Sequence, residues 1–229
     1  MNEKENQKKI AAVAALDFIE TDQVIGIGSG STVEYFIKGL KERIKFDKLK
    51  IVAVPTSYQS ELSLIKNQIP LITLNEHPEL DLAVDGADEV DPTLNLIKGG
   101  GAALTQEKIV DSMAKKFVVI ADQSKLVKNL GEKMTVPIEV IPLAFKTVMK
   151  KLKKFSSKCI LRTAIKKMGP VITDNGNFII DVKITDIKDP KRLELELNGI
   201  PGVVENGLFI EMADIVYIGQ EMGIKKLTR

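Results

Sequence analysis

Apolar side chains at Ile10, Val13, Ala14 and Leu16 recur at helical spacing, so the segment 3–19 reads as an amphipathic helix. Residues 24–27 are a short apolar run that passes directly into Gly-Ser-Gly-Ser-Thr, after which a helical pattern continues to Leu40. Residues 50–54 read as a second strand, closed by Pro55, and 57–66 as its following helix. Further apolar runs at 82–84, 94–97 and 117–120 read as strands, with a helix over 102–114 between the last two. Strands that alternate with helices predict an α/β fold with a doubly wound, mostly parallel sheet of the Rossmann-like kind.

After about residue 130 the pattern changes. Pro137 and Pro142 bracket a strand at 138–141, and a basic helix follows over 144–154. Strands are predicted at 158–162 and 178–184, with Asn175-Gly176 as the hairpin turn between apolar runs. A helix over 190–197 precedes a second tight pair, 202–205 and 208–210, around Asn206-Gly207. This order predicts a smaller α+β domain of the split βαβ, ferredoxin-like kind. Residues 214–218 are a final strand that can return to the first sheet. The predicted division is 1–129 plus 206–229 for the larger domain and 130–205 for the smaller. The lysines of 146–154 read as a solvated helix face, with Met149 and Leu152 opposite, in preference to an anionic-ligand patch.

The chain has 229 residues, 44% hydrophobic and 28% charged, with only 5% aromatic side chains, so its core is mainly aliphatic. Its net charge is +2, which supplies no bulk field for nucleic acid or a membrane surface. A small anionic ligand would have to be held by local geometry. The single cysteine, Cys159, leaves no intrachain disulfide and reads as a small strand residue rather than a nucleophile. The charged N-terminal stretch lacks a signal peptide's apolar segment, and no apolar run approaches the ~18 residues that span a bilayer. A cytoplasmic protein is the expectation.

Four segments carry candidate chemistry. Gly28-Ser29-Gly30-Ser31-Thr32 lies between a strand and a helix, where backbone N–H groups and hydroxyls favour an anion. Ser31 stands where a dinucleotide fingerprint needs glycine, and no Lys-Ser/Thr pair follows as in a nucleotide P-loop. A plain turn with a serine cap fits this segment equally well. Asp85-Gly86-Ala87-Asp88-Glu89-Val90-Asp91 ends an apolar strand in carboxylates, which fit sugar hydroxyls, a magnesium ion or a solvated turn. Lys98-Gly99-Gly100-Gly101 precedes the helix that carries Glu107; such a run suits backbone amides that wrap an oxygen-rich ligand beside a cation, with Glu107 as a base, or a flexible surface loop before an ordinary helix. Asp122-Gln123-Ser124-Lys125 ends a strand in a lysine, which fits either a second cation for phosphate or an ordinary exposed side chain. The only histidine, His77, sits in a loop, so acid–base work falls to carboxylates and lysines.

Together these segments resemble type A ribose-5-phosphate isomerase. The resemblance runs in order through Gly28-Ser-Gly-Ser-Thr32, Val54-Pro-Thr-Ser57, Val84-Asp-Gly-Ala-Asp-Glu89, Ile97-Lys-Gly-Gly-Gly101 and Glu107-Lys108. It continues through Ile120-Ala-Asp122 with Ser124-Lys125, Pro137-Ile-Glu-Val140, Thr173-Asp-Asn-Gly176 and Ile200-Pro-Gly-Val-Val204. It implies a homo-oligomer, dimer or tetramer, that interconverts ribose 5-phosphate and ribulose 5-phosphate in the non-oxidative pentose phosphate pathway. It implies no cofactor and no metal, and a sugar phosphate as the only partner besides a second copy.

By the same resemblance Glu107 is the general base, and Asp85 and Asp88 contact the sugar and assist ring opening. Lys98 stabilises the developing oxyanion, with Gly99, Gly100 and Gly101 as its backbone neighbours. Ser29, Gly30, Ser31 and Thr32 form the substrate loop, with Gly86 and Ala87 beside the two aspartates, and Lys125 is a further substrate-binding lysine. Lys8 falls near a lysine that touches phosphate in some members. Ser29 stands where threonine is common, and the hydroxyl is retained. Three other readings share some of these features: a sugar-phosphate sensor, which would not need Glu107; a coenzyme-A transferase-like enzyme; and a metal enzyme built on the Asp85 cluster.

Overall fold

The computed structural model describes residues 2–185 and 187–229. In chain order its first elements are α1 (Glu3–Ala15), β1 (Val24–Ile27), α2 (Ser31–Asp47), β2 (Val52–Pro55), α3 (Tyr58–Lys66) and β3 (Leu82–Asp85). Then come β4 (Glu89–Val90), β5 (Leu96–Ile97), α4 (Leu104–Ser112), β6 (Phe117–Asp122), β7 (Val136–Val140) and α5 (Phe145–Leu152). The last are β8 (Cys159–Leu161), β9 (Phe178–Val182), α6 (Pro190–Asn198), β10 (Val203–Asn206), β11 (Leu208–Phe209), β12 (Ile215–Gln220) and β13 (Gly223–Thr228). The chain forms two compact units: Met1–Ala87, Gln106–Lys125 and Met212–Arg229 make the first, and Asp88–Thr105 with Leu126–Glu211 the second.

The first unit is built on a six-stranded sheet in the order β13-β12-β6-β3-β1-β2. Every neighbouring pair is parallel except β12 with β13. The chain steps from β1 to β2 on one side and returns to β3 on the other, so the strand order reverses at β1. In open α/β sheets the crevice beyond the carboxyl ends at such a point is where ligands bind. The sheet is apolar on both faces, as a covered parallel sheet must be. Ile25 and Ile27 join Phe36, Ile37 and Leu40 of α2 in one cluster, while Val24 joins Val54, Leu80 and Val110 in another. Each such fully buried side chain contributes about 1.5–3 kcal/mol of transfer free energy. Helix α1 lies directly on β12, where a Cβ on Gly219 would overlap the Gln7 carbonyl.

The predicted return strand is β12, which pairs parallel to β6. Strand β13 escapes prediction because it is a charged edge: Gly-Ile-Lys-Lys-Leu-Thr has no clean alternation, and lysines are what edge strands use against mispairing.

The second unit holds an antiparallel sheet in the order β10-β7-β9-β8, crossed by α5 and α6 in the strand-helix-strand-strand-helix-strand order of the split βαβ motif. Ile138, Val140, Val148, Leu152, Ile180 and Leu197 are its fully buried centre. The lysines of α5 are exposed while Val148 and Leu152 are buried. The Asn175-Gly176 turn forms as predicted, with Thr173 N–H donating to the Asn177 carbonyl and Gly176 at φ 80°. Cys159 lies half-buried on β8, its thiol donating to the Ser156 carbonyl, and burial pushes its pKa up, away from nucleophile chemistry.

Two expectations are corrected. Asn206-Gly207 is no hairpin: β10 pairs with β7, and β11 pairs with β5 in a separate sheet, β11-β5-β4. Gly207 is there for close approach, because a Cβ would overlap the Lys98 carbonyl, to which it is tied by Lys98 N–H donating to the Gly207 carbonyl at 2.9 Å. The second correction concerns residues 88–105, whose pattern places them with the parallel sheet. They group with the second unit instead, because β4 and β5 pair antiparallel with each other and β5 pairs antiparallel with β11.

Asp81 joins two parts of the first unit: its carboxylate accepts from Val24 N–H at 3.0 Å and from the Lys115 ammonium at 2.9 Å. The Val24 amide, followed by the lysine, holds its pKa below the ordinary 3.8. A carboxyl whose folded pKa is depressed contributes stability above its unfolded pKa and loses it as pH falls through the folded value. The melting temperature of Asp81→Asn should therefore lie below that of the wild type at pH 7. The gap should narrow as pH falls below about 4; a constant gap between pH 7 and pH 3 would refute this linkage.

Candidate active site

In the first unit the loop after β1 and the end of β3 meet. The Asp85 carboxylate, fully buried, accepts from Ser29 N–H at 3.0 Å and from Gly86 N–H at 2.6 Å. A Cβ on Gly28 would overlap that carboxylate, so only glycine admits this closure. The Ser29 hydroxyl continues into a ladder with Thr56 at 3.1 Å and Ser57 at 2.6 Å, while Gly30 N–H donates to Gln59 Oε1 at 3.2 Å. Gly30, at φ 100°, starts the 17-residue α2, and no side chain caps that start. Ser31 is exposed and Thr32 half-buried on its first turn. A helix start of this kind presents amides and a partial positive charge to an anion.

Glu107 is carried to the same edge by α4. The last turn of α4 meets the start of β3, where Leu80 N–H donates to the Met113 carbonyl. One turn earlier Val110 lies over β1: a Cβ on Gly26 would come within 2.7 Å of its Cγ1. Glu107 precedes Val110 by three residues, on the same helix face and about 4.5 Å nearer the carboxyl ends of the strands. Its carboxylate is buried, at 5% exposure. β6 also ends on this edge, in the buried Asp122, which accepts from Ser124 N–H at 3.0 Å and from the Ser124 hydroxyl, and which lies 3.9 Å from Lys4. Lys125 follows half-buried in the next turn, and Lys8 on α1 pairs with Glu5 at 2.6 Å.

The second unit holds the other members of the predicted set. Asp88 accepts from Gly100 N–H at 2.7 Å, and its own N–H donates to the Ile97 carbonyl. Lys98 is only 2% exposed, with its ammonium 5.3 Å from the ring centre of the buried Phe209. Gly99 holds φ 96°, and a Cβ there would come within 2.9 Å of Leu104 and Pro137. Asp91 is spent locally, accepting from the N–H groups of Thr93 and Asn95 and from the Thr93 hydroxyl. The acidic segment is thus divided among separate jobs rather than gathered into one cluster. Among the described residues no group of three or more His, Cys, Asp and Glu side chains is placed to hold a metal ion.

Two residues of this unit are not singled out by sequence. The first is Glu139, fully buried on β7, which accepts from the hydroxyls of Thr105 and Thr173 at 2.5 and 2.8 Å and from the amides of Asn175 and Asn177 at 3.0 and 2.8 Å. The second is Arg162, immediately after β8, bound to Asp181 and to the carbonyls of Gly99 and Gly100. Glu139 is visible only as an acid inside an apolar strand, and Arg162 carries no signal.

The sequence profile described as Ribose 5-phosphate isomerase A (phosphoriboisomerase A) matches residues 52–223. The chain belongs to the ribose-5-phosphate isomerase A family. It is 57% identical over 226 residues to the ribose-5-phosphate isomerase A of Pyrococcus horikoshii, covering 98% of this chain and 99% of that protein. It is 51% identical over 224 residues to that of Methanosarcina acetivorans, covering 97% and 94%. A solved D-ribose-5-phosphate isomerase in complex with phospho-erythronic acid superposes with a TM-score of 0.97 at 56% identity, over 100% of both chains. The ribose 5-phosphate isomerase A of Methanocaldococcus jannaschii superposes at 0.95 and 47% identity, again over 100% of both. The chain is therefore an isomerase with the α/β fold of that family.

Within this member of the ribose-5-phosphate isomerase A family, Ser29, Gly30, Asp85 and Gly86 form one bonded group, and Glu107 shares their sheet edge. Asp88 and Gly100 are bonded to each other after β5, with Lys98, Gly99 and Gly101 beside them in the chain. Glu139→Gln is isosteric but turns an amide N–H₂ toward four donors, leaving buried groups unpaired. It should cost about 2–3 kcal/mol in denaturant unfolding. An unfolding free energy within about 0.5 kcal/mol of the wild type would show that the network carries no weight.

Proposed function

We propose that this chain interconverts D-ribose 5-phosphate and D-ribulose 5-phosphate through an enediolate, with Glu107 as the general base. The observation that carries the reading is the buried carboxylate of Glu107 on the ligand edge of a family-matched sheet. A single carboxylate can take the proton from one carbon and return it to its neighbour, provided the sugar is open and the adjacent oxygen is stabilised. Asp85 and Asp88 contact the sugar hydroxyls and assist ring opening. Lys98 and the Gly99 to Gly101 amides stabilise the oxyanion, the kind of preorganised electrostatics that supplies a large share of such a barrier reduction. Ser29 to Thr32 at the α2 start, and Lys125, hold substrate. The phospho-erythronic acid bound by a relative supports a phosphorylated, carboxylate-like ligand, since its carboxylate presents two oxygens as an enediolate does.

The reading extends to a cytoplasmic homo-oligomer serving the non-oxidative pentose phosphate pathway. Its support is an apolar stripe on α3, Tyr58, Leu62 and Ile65, exposed at helical spacing, which a second copy would cover. Among the described residues no helix is long and apolar enough to cross a membrane.

With ribose 5-phosphate in buffer containing EDTA, the wild type should form ribulose 5-phosphate. Glu107→Gln should lower kcat by about 10²–10⁴-fold while keeping phospho-erythronic acid affinity. Turnover by Glu107→Gln at the wild-type rate would remove the base assignment, and a folded wild type with no turnover would remove the activity. Sedimentation velocity should return a mass that is a multiple of 25.2 kDa; a monomer would refute the oligomer.

A further inference from the structure

We propose that Arg162 is a positioning residue of the isomerase reaction, setting the direction and polarity of the Gly100 and Gly101 amides beside Lys98. The inference rests on the reading of Lys98 and the glycine run as the group that stabilises the enediolate.

The guanidinium is used on every edge. Its Nε and Nη2 donate to the two Asp181 oxygens at 2.8 and 2.5 Å, the planar two-point geometry that fixes the plane of the fork. Its Nη1 donates to the carbonyls of Gly99 at 2.9 Å and Gly100 at 3.0 Å. Asp181 is in turn held by the Thr135 hydroxyl at 3.1 Å. An arginine needed only to tie two strands together would be satisfied by the aspartate. The two extra bonds go to successive peptides of one glycine run.

Those two peptides carry the consequence. In a trans peptide the C=O and N–H point in opposite directions. Drawing the Gly99 carbonyl toward Arg162 turns the Gly100 N–H away from it, and that N–H meets Asp88 Oδ2 at 2.7 Å. Drawing the Gly100 carbonyl the same way turns the Gly101 N–H outward as well. Apart from Gly101 itself and its two chain neighbours, no described heavy atom lies within 4 Å of a Cβ position on Gly101. Successive amides on one side of a turn make an anion-binding concavity. A cation on the carbonyl oxygen also polarises its peptide and makes the attached N–H a stronger donor. Glycines give this loop the widest choice of conformations, so a fixed amide direction must be imposed from outside. Lysine, a point charge on a flexible stem, lacks the planar fork that grips both Asp181 oxygens and aims a further N–H at the two carbonyls.

Such a residue should matter more as charge develops than when substrate first binds. The test takes the wild type, Arg162→Lys, Arg162→Gln and Lys98→Met, with kcat and KM for ribose 5-phosphate, inhibition by phospho-erythronic acid and thermal melts. Both Arg162 variants should lose about tenfold or more in kcat. KM should stay within about threefold, and inhibition by phospho-erythronic acid should weaken by a factor similar to the kcat loss.

Unchanged kcat in both variants would overturn the proposal. So would a loss confined to KM, or one that disappears after correction for the folded fraction at the assay temperature. If Arg162→Gln does not fold, Arg162→Lys decides on the same criteria, and failure of both to fold marks the residue as a stability element only. A wild type without turnover, or Lys98→Met with full turnover, would fail the underlying reading instead, whatever the Arg162 variants do.

Discussion

The carboxylate of Asp85 can cap the loop after β1 only because residue 28 has no side chain. β1 and β3 are neighbours at the point where strand order reverses, and their carboxyl ends must approach closely for the loop amides and the carboxylate to meet. Any Cβ at Gly28 would occupy the space of that carboxylate. From this closure follow the placement of Ser29, its hydroxyl ladder to Thr56 and Ser57, and the start of α2. Two residues earlier on β1, Gly26 has a matching role, letting α4 descend onto the strand so that Glu107 lies at the same edge.

Buried carboxylates do much of the structural work in this chain. Glu89 takes the backbone N–H groups of Gly131, Lys133 and Met134 at 2.6 Å each. Glu139 takes four side-chain donors, and Asp91 organises its own turn. A carboxylate taken out of water is costly unless its lone pairs are met by several donors, and each of these is. They therefore act as fixed joints at which loops are tied to strands.

Glycine and arginine have complementary roles around β5. Gly99, Gly100 and Gly207 allow backbone to pass where side chains cannot, and that freedom has to be limited by something rigid. Arg162 supplies a planar fork on the carbonyl side of the loop and Asp88 an acceptor on the amide side. The lysine next to this loop lies against the Phe209 ring, in surroundings that water reaches little. A charge in such a place acts at lower effective dielectric than one in solvent.

The sequence by itself determined the α/β class, the order of elements and the strand ends where chemistry gathers, because these rest on local periodicity and on glycine runs that have few other uses. Asp85 and Lys98 were legible as candidates because a charged residue at the end of an apolar run is conspicuous, whatever its role, and Glu107 because it lies on the helix that follows the glycine run. Pairing was not legible. Asn206-Gly207 has the composition of a hairpin turn, and the run that holds β5 reads as a further parallel strand, yet β10 pairs with β7 and β11 with β5, partners far away in the chain. The roles of Arg162 and Glu139 were not legible, because the Gly99 and Gly100 carbonyls lie 63 and 62 residues from Arg162, Asp181 lies 19 from it, and the partners of Glu139 lie 34 to 38 residues away. Only the tertiary structure decided those bonds, since no spacing rule links residues that meet solely because two strands and a loop fold onto one another.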